Sequence, residues 1–191
     1  NTQLFAYNAA HYERVGERGP PETWDDVLRV GRRIEKDVPG VHGYTIRGRN
    51  GNPIVANYFS FGTSAAGRIF DDDWRFRWNS DAGVTAANFY LRDLADISPD
   101  GVAQFSTESV QLGLANGTAA QSLVWPSASS LLLDPESAPQ AGNIEFTTVP
   151  KGQTRAPQLG NWIAGVNRHV PDARKRAAGR VLRSFVSREA Q

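Results

Sequence analysis

What most limits the folds open to this chain is the order in which two hydrophobic periods succeed one another. Short apolar runs of strand character, such as Leu4-Phe5-Ala6-Tyr7-Asn8 and the stretches 119–125 and 144–149, alternate with segments whose apolar residues recur every three or four positions. The first period puts successive side chains on opposite faces of a sheet, and the second builds one stripe along a helix. Strands interleaved with helices over the whole chain, with no internal repeat and no low-complexity tract, define the α/β class. Strand order is not contained in the pattern.

The boundaries between these periods carry their own chemistry. Pro20-Pro21-Glu22-Thr23-Trp24-Asp25-Asp26 opens a helix, because Thr23 can cap the amide three residues on while Asp25 and Asp26 sit at the positive helix end. Trp24, Val27, Leu28, Val30 and Ile34 form its apolar stripe, and Pro39-Gly40 stops it. Residues 9–15 read as a short helix ended by Gly16. Residues 43–46 read as a strand entering a loop, and Pro53 suits the first turn of a helix over 53–61 with Gly62 as terminator. Arg68-Ile69-Phe70 and Trp74-Arg75-Phe76-Arg77-Trp78 flank three aspartates and predict a hairpin with an acidic tip. Asn79-Ser80-Asp81 supplies caps for a helix of about four turns carrying Val84, Ala87, Leu91 and Leu94. Ser106 or Thr107 caps another, which Asn116-Gly117 ends. Residues 127–133 read as a short helix capped by Ser127, 162–166 as a strand, and Pro171 with Asp172 as the opening of a last helix.

Composition removes several function classes. With 21 Lys+Arg against 20 Asp+Glu the net charge is +1, which gives no basic surface for tracking phosphates, so no nucleic-acid partner is expected. Cysteine is absent, and with it disulfides, thiol catalysis and thiolate metal sites. No run approaches the roughly 18 apolar residues of a membrane span. His11, His42 and His169 are isolated from one another, and Asp71-Asp72-Asp73 lacks the alternate-ligand spacing of a calcium loop, so no metal is expected. Neither a Gly-x-Ser-x-Gly turn nor a glycine-rich phosphate cradle occurs. Arg47-Gly48-Arg49-Asn50-Gly51 reads as a solvated basic turn. Glycoside cleavage would need two carboxylates about 5 to 9.5 Å apart, for which Asp71 to Asp73 and Asp134-Pro135-Glu136 are the candidates in principle. No catalytic residue and no cofactor is assigned, and the rivals to a binding function are a carbohydrate-active enzyme and an interaction module without solute affinity.

Aromatic residues beside small or amide-bearing ones stand where elements change: Asn57-Tyr58-Phe59, Trp125-Pro126-Ser127 and Gly160-Asn161-Trp162. Aromatic faces accept the C–H faces of sugar rings while Asn and Ser meet the hydroxyls, so such sets suit polyol recognition.

The ordered set of Leu4-Phe5-Ala6-Tyr7-Asn8, Gly19-Pro20-Pro21-Glu22-Thr23-Trp24-Asp25-Asp26, the Asn79-Ser80 helix start, Gly117-Thr118-Ala119-Ala120, Trp125-Pro126, Val149-Pro150-Lys151-Gly152 and Gly160-Asn161-Trp162-Ile163-Ala164-Gly165-Val166 resembles the extracellular solute-binding proteins of bacterial ABC importers. The resemblance is to the carbohydrate-type group that includes maltose-binding protein, and it spans essentially all 191 residues. It implies a periplasmic-binding-protein-like fold, mainly the second lobe of a two-lobed hinge protein. Residues 1–159 would form that lobe and 160–191 would cross back toward the first. It further implies a small-molecule solute, a carbohydrate or a derivative of one, handed to a membrane permease by a periplasmic or extracellular receptor, which in full-length form can carry a lipid anchor. By the same resemblance the ligand-binding residues are Asn57, Tyr58, Trp125, Ser127, Gly160, Asn161, Trp162 and, at the hinge, Asn1. Gln121 stands where relatives often carry Met. The start at Asn1 and the absence of Met read as a processed chain or a piece of a longer one.

Overall fold

A computed structural model describes residues 2–160 and 162–190, and the chain divides into two compact units, Asn1–Leu159 and Gly160–Gln191. The first unit is built on β1 (Leu4–Asn8), flanked by β2 (Gln121–Val124) and β3 (Ile144–Thr147) in the order β2-β1-β3, both antiparallel to β1. Leu4 pairs with Val124 and Tyr7 with Gln121 on one side, while Phe5 pairs with Thr147 and Asn8 with Ile144 on the other.

The strand period sorts the core into two layers. Phe5, Tyr7 and Leu123 face a cluster formed with Trp24, Val27, Val30 and Ile34 of α2 (Trp24–Asp37), Phe61 of α3 (Asn52–Ala66) and Tyr90. Ala6, Val124 and Ile144 face the other way, onto Val110 and Leu114 of α6 (Thr107–Asn116) and Leu132 of α7 (Ser129–Leu132). Helices therefore cover both faces of the sheet, as the α/β class requires. Between them lie α1 (Ala9–Arg14), α4 (Asp81–Asn88) and α5 (Leu94–Asp96).

Local chemistry accounts for most boundaries. Thr23 and Asp26 form a reciprocal capping box: Thr23 Oγ1 accepts from the Asp26 amide at 3.1 Å while the Asp26 carboxylate accepts from the Thr23 amide at 3.1 Å. Gly117 ends α6 in the left-handed conformation, φ 75°. Other boundaries differ from the sequence expectation. Helix α3 runs through Gly62 to Ala66, because the ring of Trp78 lies on Gly62, about where a Cβ would meet it at 3.0 Å. The N-cap of α7 is Ala128 and not Ser127; ahead of it Trp125 is the N-cap of a single tight turn, Pro126–Ala128, which Pro126 opens. Between α4 and α5 the helix widens into a π-helical turn, Phe89–Asp93, which no hydrophobic period signals. The expected hairpin contracts to one bridge, Phe70 to Phe76, whose acidic tip is folded on itself as Asp71 accepts from the Asp73 and Arg75 amides. In the second unit α8 (Asp172–Phe185) forms as expected, but 162–166 makes no strand, since no described residue pairs with its backbone.

His11, on α1, is buried, with Nε2 bonded to the Gly117 carbonyl at 3.0 Å and Nδ1 without a partner. Burial lowers its pKa below the ordinary 6.5. The unfolded chain thus takes up this proton at higher pH than the folded one, so the stability is complete above 6.5 and declines as pH falls through it. We expect a lower urea midpoint at pH 5 than at pH 7.5, and a flatter dependence for His11→Gln. An equal slope in the variant would assign the decline to other groups.

Candidate functional site

Residues 42–47 lie alongside β2 in parallel. His42 bridges Ala119, the Thr45 amide donates to the Gln121 carbonyl at 3.2 Å, and Ser122 Oγ donates to the Thr45 carbonyl at 2.7 Å. The segment is held from its other side and from β2 rather than by a regular ladder, which is why it departs from the expected strand. Its last residue, Arg47, and the last residue of β2, Val124, consequently finish at one end of the sheet. There β1 begins, with Leu4 opposite Val124, and β3 ends, with Thr147 opposite Phe5. Helix α3 and the turn Pro126–Ala128 both start from this end. Loops and helix amino termini gather at the carboxyl ends of parallel strands, and this is where open α/β sheets bind ligands.

Trp125 sits at that end in extended conformation, φ −100° and ψ 154°, half-buried, its carbonyl accepting from the Ala128 amide at 2.8 Å. Ser127 is exposed two residues on, its carbonyl held by Ser130 Oγ at 2.9 Å and its own hydroxyl without a partner among the described residues. These two place a half-buried ring and an exposed hydroxyl two residues apart at one end of the sheet.

Asn57 and Tyr58 are placed differently from each other. Asn57 has no exposed surface, and its Oδ1 accepts from Gln3 Nε2 at 3.1 Å. The link continues from Ser60 Oγ to Gln3 Oε1 at 2.6 Å and from the Gln158 amide to Ser60 Oγ at 3.2 Å, while the Gln3 amide donates to the Gln158 carbonyl at 2.9 Å. This chain of bonds clamps the start of β1 to α3. Asn57 Nδ2 is buried beside the Tyr90 hydroxyl. Tyr58 is half-buried; its hydroxyl donates to the Gly83 carbonyl at 3.1 Å and its ring meets Trp78 edge-on at 5.3 Å. Burial raises its phenol pKa, so it remains a donor at any neutral pH. Gly160, half-buried, and Trp162, 97% exposed, belong to the second unit. Asn1 and Asn161 lie outside the described residues.

The sequence reading missed Arg47. It is not a solvated turn residue: it is only 6% exposed, and its Nε and Nη1 are closed off with no hydrogen-bond partner. It follows directly on Tyr44-Thr45-Ile46, a run that is buried throughout. The loop after it is pressed against residues 102 and 103, where a Cβ on Gly48 would strike the Val102 carbonyl and reach Ala103 Cα at 3.0 Å.

Two concavities lie at the opposite end of the sheet. One of about 510 Å³ is lined by Glu13, Gly16, Glu17 and Arg18; another of about 300 Å³ is lined by Tyr7, Tyr12, Glu145 and the same charged residues. Two of their carboxylates are already engaged, Glu17 by Arg29 at 2.5 Å and Arg33 at 2.8 Å, and Glu145 by the Tyr7 hydroxyl. None of the sequence-predicted residues lines them. Among the described residues no group of three His, Asp or Glu side chains is placed to hold a metal ion, and no helix is long and apolar enough to cross a membrane.

Comparison with known proteins places the fold. MalE3 of T. maritima, solved with maltose bound, superposes with a TM-score of 0.89 over 99% of this chain and 49% of its own, at 25% identity. A solute-binding protein of Thermotoga lettingae bound with α-D-tagatose gives 0.84 over 99% and 48%, also at 25% identity. One from Agrobacterium radiobacter bound to ribitol gives 0.89 at 21% identity, covering 99% of this chain and 48% of that one, a likeness of fold. In sequence the chain is similar to the probable amino-acid ABC transporter periplasmic-binding protein y4oP of Sinorhizobium fredii, 29% identical over 86% of this chain and 37% of that protein. The chain thus spans half or less of the length of these relatives. The model of the bacterial extracellular solute-binding protein family matches residues 1–191, and the chain belongs to that family.

Proposed function

We propose that residues 1–159 are most of the second lobe of a two-lobed receptor, that 160–191 cross back toward the first lobe, and that the receptor captures a sugar or sugar-derived solute outside the cytoplasmic membrane. The observation that carries this reading is the pairing of Trp125 with Ser127 at the carboxyl end of the sheet, where two strand ends and two helix starts converge. The ring supplies apolar contact area to a sugar face and the hydroxyl a directional bond. Solute-bound relatives carrying maltose and tagatose support the ligand class. Lobe closure would bring the first lobe over the same end, which shifts the population toward the closed state in proportion to the contacts made only there. Delivery is to an ABC permease.

The roles within the site differ. Trp125 and Ser127 touch solute, while Gly160 and Trp162 are carried by the segment proposed to cross back. Tyr58 contributes the exposed part of its ring. Asn57 braces the strand start through Gln3 and acts from behind the surface.

Thermal-shift screening of the two-lobed protein against neutral and acidic sugars, polyols and amino acids identifies the solute, because a ligand bound only by the folded state raises the midpoint. Against that solute, Trp125→Ala is expected to weaken binding by roughly 10- to 100-fold, the loss of one buried aromatic anchor. Unchanged affinity in a folded Trp125→Ala protein would move the site away from this end of the sheet.

A further inference from the structure

A buried guanidinium without a counter-ion is an unusual thing to keep in a core. Arginine stays charged at any accessible pH, and a charge taken out of water persists only where something compensates it. Arg47 is nine-tenths buried, and neither Nε nor Nη1 has a hydrogen-bond partner. Among the described residues no carboxylate lies within ion-pair reach of it. The charged groups in its wider surroundings are Arg49, which repels it, and the exposed Glu108, whose own carboxylate accepts from Ser106 Oγ. Its backbone is fixed, since its carbonyl accepts from the buried Tyr90 hydroxyl at 3.3 Å.

Position gives this unpaired charge a use. Arg47 ends residues 42–47 at the same end of the sheet as Trp125, and α3 starts five residues later, at Asn52. No side chain caps that start, and its first turn holds no acidic residue. Helix amino termini favour negative charge, and here one lies on the same loop as a guanidinium lacking its anion.

We propose that Arg47 is an anion-recognition residue of the solute site and that the solute carries a carboxylate. This rests on the reading that the carboxyl end of the sheet is where solute binds. A planar carboxylate accepts from two parallel N–H donors of a guanidinium, Nη2 together with either Nε or Nη1, and would give one of the two orphaned donors its acceptor. Two classes of solute present that group, sugar acids such as uronates and aldonates, and amino acids, and y4oP, named as a probable amino-acid binder, is a relative.

The test is calorimetric titration of the two-lobed protein with matched pairs. Glucuronate and galacturonate are set against glucose and galactose, and a panel of amino acids against their amides. Binding of an acid at least 100-fold tighter than its neutral partner is expected, with that preference lost in Arg47→Met. Sugar acids and amino acids are separated by which pair binds. Should Arg47→Met fail to fold, the wild-type ratio of acid to neutral partner still decides. Neutral sugars bound as tightly as their acids, or an acid preference surviving in Arg47→Met, would overturn the proposal while leaving the sugar site standing. Binding of neither sugars nor acids would remove the site reading and this inference together.

Discussion

Gly43→Ala is expected to lower stability by about 3 kcal/mol or more, because the added methyl would meet backbone rather than side chain. A Cβ at 43 falls on the Gly31 carbonyl, with the Gly31 carbonyl carbon at 2.5 Å and Cα at 2.8 Å. Gly31 lies on the buried face of α2, so relief requires the helix to move away from residues 42–47. That movement would open the layer holding Val27, Val30 and Ile34 against the sheet. For a chain of this size the midpoint should fall by roughly 6 to 12 °C. Gly142→Ala is the control, since nothing lies within 4 Å of its Cβ position, and it should melt within about 1 °C of the parent. Equal melting of the two variants would refute the close backbone approach.

Gln121→Met should be nearly as costly, for a polar reason. Gln121 is fully buried at the centre of the first unit, and its amide is used completely. Oε1 accepts from the Tyr12 hydroxyl at 2.5 Å, and Nε2 donates to the carbonyls of Val27 at 2.8 Å and Gly43 at 2.9 Å. One side chain thereby ties α1, α2 and residues 42–47 to β2. Methionine matches the volume but strands the Tyr12 hydroxyl and the Gly43 carbonyl, each a loss of about 1 to 3 kcal/mol, for a total of about 3 kcal/mol. Gln121→Glu should be worse, since a carboxylate cannot donate to two carbonyls and a buried charge has no partner there. Urea denaturation of the three proteins checks the order; a Met variant as stable as the parent would show the bonds to be without net value. What Tyr12, Val27 and Gly43 present to the side chain accounts for a glutamine at this position.

What could be read in the sequence was whatever a few neighbouring residues decide. Thr23 and Asp26 cap α2 through bonds spanning three residues, and Gly117 ends α6 by its own backbone freedom, so both were legible. Gly62 was misread because the residue that makes it useful, Trp78, is 16 positions away and meets it only in the folded state. Ser127 was given the cap because its hydroxyl suits one, yet Pro126 had already fixed the turn one residue earlier. For the site, Trp125 was found from its local setting of Pro126 and Ser127. The enclosure of Asn57 depends on Gln3, 54 residues distant, and that of Arg47 on helices from elsewhere in the chain, so neither could be seen in the residues around it.

The central claim, that solute binds at the carboxyl end of this sheet, is tested most directly by amide hydrogen exchange with and without the solute found by screening. Protection should appear at residues 47–54 and 124–130, the loop before α3 and the turn after β2, with residues 13–19 unchanged. Protection concentrated at 13–19 and around Glu145, where the two concavities lie, would contradict the account and place the site at the other end of the lobe.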